Sequence, residues 1–224
     1  MNKWQDLKIH PVLDPSVRYS DYCRLDLSTH NKELESIDIS NSGALGQYVE
    51  SVIKRNHAIF AIGGYLEQRN IYQRSPYFKS PEKSSEERNI HLGVDIWASA
   101  GTSVHAVMNG IIHSFANNTN YGDYGPTIIL QHISNGVIIH SLYGHLSLDS
   151  IEHLQIGQKV QGGQQLARLG SSEVNGDYPP HLHFQFIRDL GDYKGDYPGV
   201  CSLNDKGSMS LNCPNLLEFL DIFP

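Results

Sequence analysis

The stretch His181-Leu-His-Phe-Gln-Phe-Ile constrains this chain more than any other. A period of two places His181, His183 and Gln185 on one face and Leu182, Phe184 and Phe186 on the other. On a helix, residues i and i+2 lie about 200° apart, so two imidazoles pointing the same way require a strand. The stretch His91-Leu-Gly-Val-Asp-Ile-Trp repeats the pattern: His91, Gly93 and Asp95 share one face, and Leu92, Val94 and Ile96 the other. Both strands keep an apolar side for a core and a polar side for something else.

The surrounding chain supports a β-rich fold. Short runs rich in Val and Ile, punctuated by Gly and Asn, occur at Ser103 to Ala106, Gly110 to Phe115, Thr127 to His132 and Val137 to Tyr143. Their spacing predicts an antiparallel architecture rather than βαβ units. The first 40 residues show no sustained period and read as irregular. From the cap Asn41-Ser42, Leu45, Tyr48, Val49, Val52 and Ile53 follow one helix face. Ser75 to Arg88 and Ser171 to Pro180 read as loops. Pro214, Leu216, Leu217 and Leu220 predict a short terminal helix with proline in its first turn. The fold class is therefore mainly β (α+β), with a helical or irregular extension over 1–60, a central domain over 61–190 and a tail with a short helix over 191–224.

The imidazoles and the carboxylate on these two strands suit a divalent ion such as zinc, and two His with one Asp would leave a further position open, which is the catalytic rather than the structural arrangement. The chemistry alone leaves His181 available as another ligand. A third element, Leu142-Tyr-Gly-His-Leu-Ser147, ends a β-rich run on His145.

Together these motifs resemble the LytM/lysostaphin-type metallopeptidases of the M23 family, whose pattern is H-x-G-x-D, then Y-x-H-L-S, a Gly-rich segment and H-L-H-F. Here they stand as His91-Leu-Gly-Val-Asp95, Tyr143-Gly-His145-Leu-Ser147, Gly157 to Gly163 and His181-Leu-His183-Phe184, and the similarity extends from about Gly63 to Ile187. The resemblance implies an antiparallel β-sheet groove with the site on its floor. It implies one zinc ion per chain held by His91, Asp95 and His183, with His145 and His181 beside the metal as catalytic groups. It also implies hydrolysis of a peptide bond in peptidoglycan or a related short peptide by a zinc-activated water that the two histidines assist. Gln185 stands where the family often has an acid, and Ser172 to Tyr178 replaces a shorter connection, which points to a remodelled groove wall. Tyr124, Asp177 and Tyr178 lie in loops placed to rim it. The alternatives are a zinc-binding module without hydrolysis and a cytosolic hydrolase acting on a substrate outside the wall.

Composition narrows the partners. With Lys+Arg 17 against Asp+Glu 24, the net charge is −7, which argues against nucleic-acid binding by phosphate neutralisation. No apolar run of about 18 residues predicts membrane insertion. The opening residues lack the apolar core of a secretory leader, so the expectation is a cytoplasmic protein, or a periplasmic or secreted one if a leader was trimmed. The sequence leaves the oligomeric state open. Cys23, Cys201 and Cys213 form no disulfide framework or thiolate zinc knuckle. His105, His113, His132 and His140 read as packed or solvent-facing, Tyr143 as packing, and Arg69 and Tyr72 as groups that contact substrate or brace the fold.

Overall fold

The computed structural model describes residues 9–79 and 87–220. Its main element is an eight-stranded sheet in the order β1-β2-β4-β11-β8-β7-β6-β9. The strands are β1 (Tyr22–Arg24), β2 (Phe60–Gly63), β4 (Val94–Trp97), β6 (Gly110–Asn118), β7 (Gly125–Ser134), β8 (Val137–Gly144), β9 (Lys159–Val160) and β11 (His181–Ile187). Two two-stranded ladders flank it: β5 (Ser103–His105) with β10 (Gln165–Arg168), and β3 (Arg88–His91) with β12 (Val200–Ser202). All pairings are antiparallel except β1 with β2, which is parallel.

Alternation sorts the sheet into two faces. Leu182, Phe184, Phe186, Ile128, Leu130, Ile139 and Tyr143 pack together on one side as the main core. On the other side the register aligns His183 with Asp95 and with Gly144, and Gln185 with Leu142. That face is covered in parts. Leu190, Tyr197 and Cys213 lie over Ile129 and Leu142. The helix α1 (Ser42–Arg55) lays Leu45, Tyr48, Val49 and Val52 against a cluster that includes Trp97 and Tyr178. Between these two covers a small cavity lies over the floor at β4 and β11.

The cap of α1 is as expected, since the Asn41 side chain accepts from the Ala44 N–H. Other features differ from the sequence reading. The segment expected to be irregular supplies β1, because three residues of extended chain suffice to pair with β2 and are too few to show a period. β6 and β7 run several residues beyond their predicted ends. The helix α2 (Lys206–Asn212) precedes the terminal helix α3 (Leu217–Leu220), and Pro214 lies before α3 rather than in its first turn. Part of the predicted loop between Ser75 and Arg88 falls outside the described residues. The part described holds one short 3-10 turn, Pro76–Phe78, and another, Ile71–Arg74, lies just before it.

The stretch from His91 to Trp97 is not one strand. The chain breaks at Leu92-Gly93, so that His91 ends β3 and Asp95 lies in β4. Gly93 crosses directly against the site: a Cβ there would sit 2.5 Å from His183 Nε2 and 2.7 Å from the Phe184 carbonyl oxygen. The three cysteines are free and buried. No helix among the described residues is long and apolar enough to cross a membrane.

Candidate metal and catalytic site

Among the described residues, His91, Asp95 and His183 form a group of ligand-type side chains close enough together to hold a metal ion. His91 Nε2 lies 2.8 Å from His183 Nδ1, and each of these atoms lies 3.2 Å from Asp95 Oδ1. Second contacts decide which protons these rings carry. His91 Nδ1 lies 2.9 Å from the Gly64 carbonyl oxygen, and His183 Nε2 lies 3.0 Å from Gln185 Oε1. Gln185 is itself oriented by its amide donating to the Pro198 carbonyl and to Cys213 Sγ. A carbonyl oxygen only accepts, so each ring spends its single neutral-state proton on its outer nitrogen. The inner nitrogens therefore aim lone pairs at each other and at Asp95 Oδ1, a buried oxygen with no hydrogen-bond donor.

Three buried acceptors converging without a proton between them are unfavourable unless a cation completes them. Bonds of 2.0 to 2.1 Å in a tetrahedron place ligand atoms about 3.3 to 3.4 Å apart, close to the 2.8 to 3.2 Å seen here. The donor set and its spacing thus fit zinc. The other carboxylate oxygen, Asp95 Oδ2, accepts from Arg69 Nη1 at 2.5 Å, and Arg69 Nε donates to Glu67 at 2.6 Å. Arg69 is only 4% exposed. Burial opposes ionisation of Asp95, yet its carboxyl is held well below the usual range by His91 and Arg69. Burial pushes His91 down to about 4. At neutral pH His91 is thus uncharged, and the permanently charged guanidinium is the partner that keeps Asp95 ionised.

His145 and His181 complete the cluster, with ring centroids 4.2 Å apart. His145 Nδ1 donates to the Asn175 carbonyl and His181 Nδ1 to the Pro179 carbonyl, both at 2.8 Å. Each Nε2 is left as an acceptor, and that of His181 lies 3.8 Å from Asp95 Oδ1. His181 stacks on Trp97 at 4.1 Å. His145 adopts a φ of 62°, a conformation uncommon for a non-glycine residue and often found at functional sites. Burial lowers the pKa of both rings, with His181 pushed down to about 4.

Tyr124 and Tyr178 line the cavity above these groups. Asp177 does not line it. Its carboxylate instead accepts from the Ser42 hydroxyl at the start of α1 and lies 3.5 Å from Arg74. His132 lies on the opposite face of the sheet, bonded to Ser141 and the Asn109 carbonyl, and Tyr143 packs in the core there. Three contributors were not legible in the motifs: Arg69 on Asp95, the Gly64 carbonyl on His91 and the Asn175 carbonyl on His145. The Gly63-Gly64 pair was the available signal. A Cβ at Gly64, where φ is +102°, would collide with Arg69 and lie 2.8 Å from His91 Nδ1.

Residues 89–194 match the family model of Peptidase family M23. The glycyl-glycine endopeptidase ALE-1 of Staphylococcus capitis is 30% identical over 138 residues, 62% of this chain and 33% of that protein. The L-Ala–D-Glu endopeptidase of Bacillus subtilis strain 168 is 31% identical over 109 residues, 46% of this chain and 31% of that protein. The chain thus spans about a third of the length of the curated relatives it matches. The catalytic domain of lysostaphin from Staphylococcus simulans aligns with 74% of this chain and 97% of its own, at 23% identity and a TM-score of 0.40.

Proposed function

We propose that this chain, whose residues 89–194 match the family model of Peptidase family M23, is a zinc-dependent peptidase that hydrolyses a peptide bond in peptidoglycan or a related short peptide. The observation that carries this reading is the convergence of three proton-free acceptors, His91 Nε2, His183 Nδ1 and Asp95 Oδ1, beside two further imidazoles with free Nε2 atoms. The three acceptors would hold the ion. When bound, it supplies Lewis acidity, which polarises a carbonyl and acidifies water. Endopeptidases named for glycyl-glycine and L-Ala–D-Glu bonds among the relatives support a peptide substrate.

The remaining steps belong to the chain's own groups. With their Nδ1 protons committed to backbone carbonyls, His145 and His181 have the same starting capability: each accepts a proton at Nε2 and donates only after it has taken one. One ring accepts the proton of the attacking water. Protonated, that ring then donates to the departing amine, while the second ring's Nε2 stays available as an acceptor. The short distance between the rings disfavours charging both at once. Gln185 and Gly64 hold the orientation of His183 and His91 throughout, and Arg69 keeps Asp95 ionised.

Two variants test the division of roles. His183→Ala should lose both zinc and hydrolysis, whereas His145→Ala should retain one zinc per chain and lose turnover by about 100-fold or more. Metal analysis and mass spectrometry of digested muropeptides read both outcomes. Zinc bound at one per chain in the unaltered protein with no peptide cleaved would leave a metal-binding module in place of an enzyme.

A further inference from the structure

The five polar side chains of the site are almost inaccessible: His91 is 2% exposed, Asp95 1%, His145 5%, His181 3% and His183 2%. The segment over residues 70–79, which lies outside the stretch matched to the family, contributes to this burial. Its two 3-10 turns put Tyr72, Tyr77 and Phe78 into the cavity lining. The segment is also fastened to the opposite wall. The Ser75 hydroxyl donates to the Tyr121 carbonyl at 2.5 Å, and Arg74 Nη2 donates to the Gly176 and Asp177 carbonyls at 3.2 and 2.7 Å. The Arg74 guanidinium lies over the Tyr178 ring at 4.2 Å and the Tyr121 ring at 4.9 Å. Gly122 packs so closely beneath the strap that a Cβ there would stand 3.1 Å from that of Ser75 and 3.3 Å from the Phe78 ring.

These anchors reach across 46, 102 and 103 positions of sequence and tie the segment to the adjoining loops at Tyr121 and Gly176-Asp177, over the cavity that it helps to line. On another side Gly199 is set so tightly against Tyr124 that any Cβ would overlap its hydroxyl, and Tyr197 to Val200 form part of the lining. The space left beneath the strap is only about 40 Å³, room for a few water molecules and for no further residue of a peptide. An extended strand adds about 3.3 Å per residue, and one that runs toward the strap meets the Arg74 and Ser75 anchors.

From this geometry we propose that the site is blind at the strap, and that its substrates are short free peptides or the terminal residues of a chain rather than bonds in the middle of a long strand. The proposal rests on the peptidase reading above and narrows its substrate class. Strap residues thereby set specificity: Arg74 and Ser75 by holding the roof shut, and Tyr72, Tyr77 and Phe78 by limiting how far a bound peptide extends.

The test uses the full chain loaded with zinc and a matched set of peptides. Glycyl-glycine and L-Ala–D-Glu bonds are each presented in free pentapeptides and, flanked by the same residues, at the centre of peptides about four times longer. The free pentapeptides should be cut with kcat/KM about 100-fold higher than the embedded bonds. Equal rates on the two sets would overturn the blind-end proposal and leave the peptidase reading standing. No cleavage of either set would remove both. The double variant Arg74→Ala, Ser75→Ala, checked for folding by circular dichroism, should raise cleavage of the embedded bonds relative to the free ones; an unchanged ratio in the folded variant would also overturn the proposal.

Discussion

Gln185 carries no charge and touches no reacting atom, yet it selects the tautomer of His183 by accepting its Nε2 proton. Outer partners of this kind commonly contribute 10- to 100-fold to metal affinity. Gln185→Leu should therefore weaken zinc binding by about 10-fold or more in a chelator competition, whereas Gln185→Glu keeps an acceptor and should retain most of it. Arg69 has a larger structural part, because it neutralises two carboxylates in a buried position. Arg69→Met strands Asp95 and Glu67 without their counter-charge, and breaking a buried pair in this way costs about 3 to 5 kcal/mol. Urea unfolding of the metal-free variant measures it; a loss below about 1 kcal/mol would place the pair with solvent-screened surface bridges.

The ladder between β4 and β11 converts sequence alternation into a site. It sets His183 opposite Asp95 and His181 opposite Trp97, and a slip of one residue would turn the imidazoles into the core. The break at Gly93 is equally exacting. Gly93→Ala puts a methyl group 2.5 Å from His183 Nε2, so zinc affinity should drop in calorimetric titration even where the fold survives. The helix α1 tolerates change better. Asn41→Ala removes one capping acceptor and should lower stability by about 1 kcal/mol in urea unfolding, with zinc stoichiometry unchanged.

For the molecule as a whole, several buried imidazoles tie stability to pH. Burial lowers His91, His132 and His181 to about 4 from an ordinary value of 6.5. In the unfolded chain they take up protons as pH falls through 6.5, while in the folded protein they resist until about 4. The unfolded state therefore binds more protons across that window, and stability is lost as pH falls through it. Each imidazole contributes about 1 to 2 kcal/mol between pH 7 and pH 5. The metal-free protein should unfold at lower urea at pH 5 than at pH 7, and His132→Gln, remote from the metal group, should reduce that difference. Segments on both sides of the family-matched stretch also meet at the site: Arg69 and Gly64 come from before it, and Val200 from after it.

Periodicity alone made the strand at His181 to Ile187 legible, because alternating polar and apolar side chains follow from the geometry of an extended backbone. It also made the amphipathic face of α1 legible, and spacing together with family resemblance singled out the five polar residues that converge. The break between His91 and Asp95 was not legible, since Gly93 bends there in response to His183, 90 residues away in the chain. Nor was the pairing of Arg69 with Asp95, or the strap from Ser75 to Tyr121, because neither contact has a local pattern to announce it. Local chemistry determined which side chains could bind a cation and which could move a proton. Long-range packing decided the tautomer each imidazole adopts, the charge Asp95 keeps and how much of the groove stays open, because those depend on which backbone carbonyls and guanidinium groups the fold brings within hydrogen-bond reach.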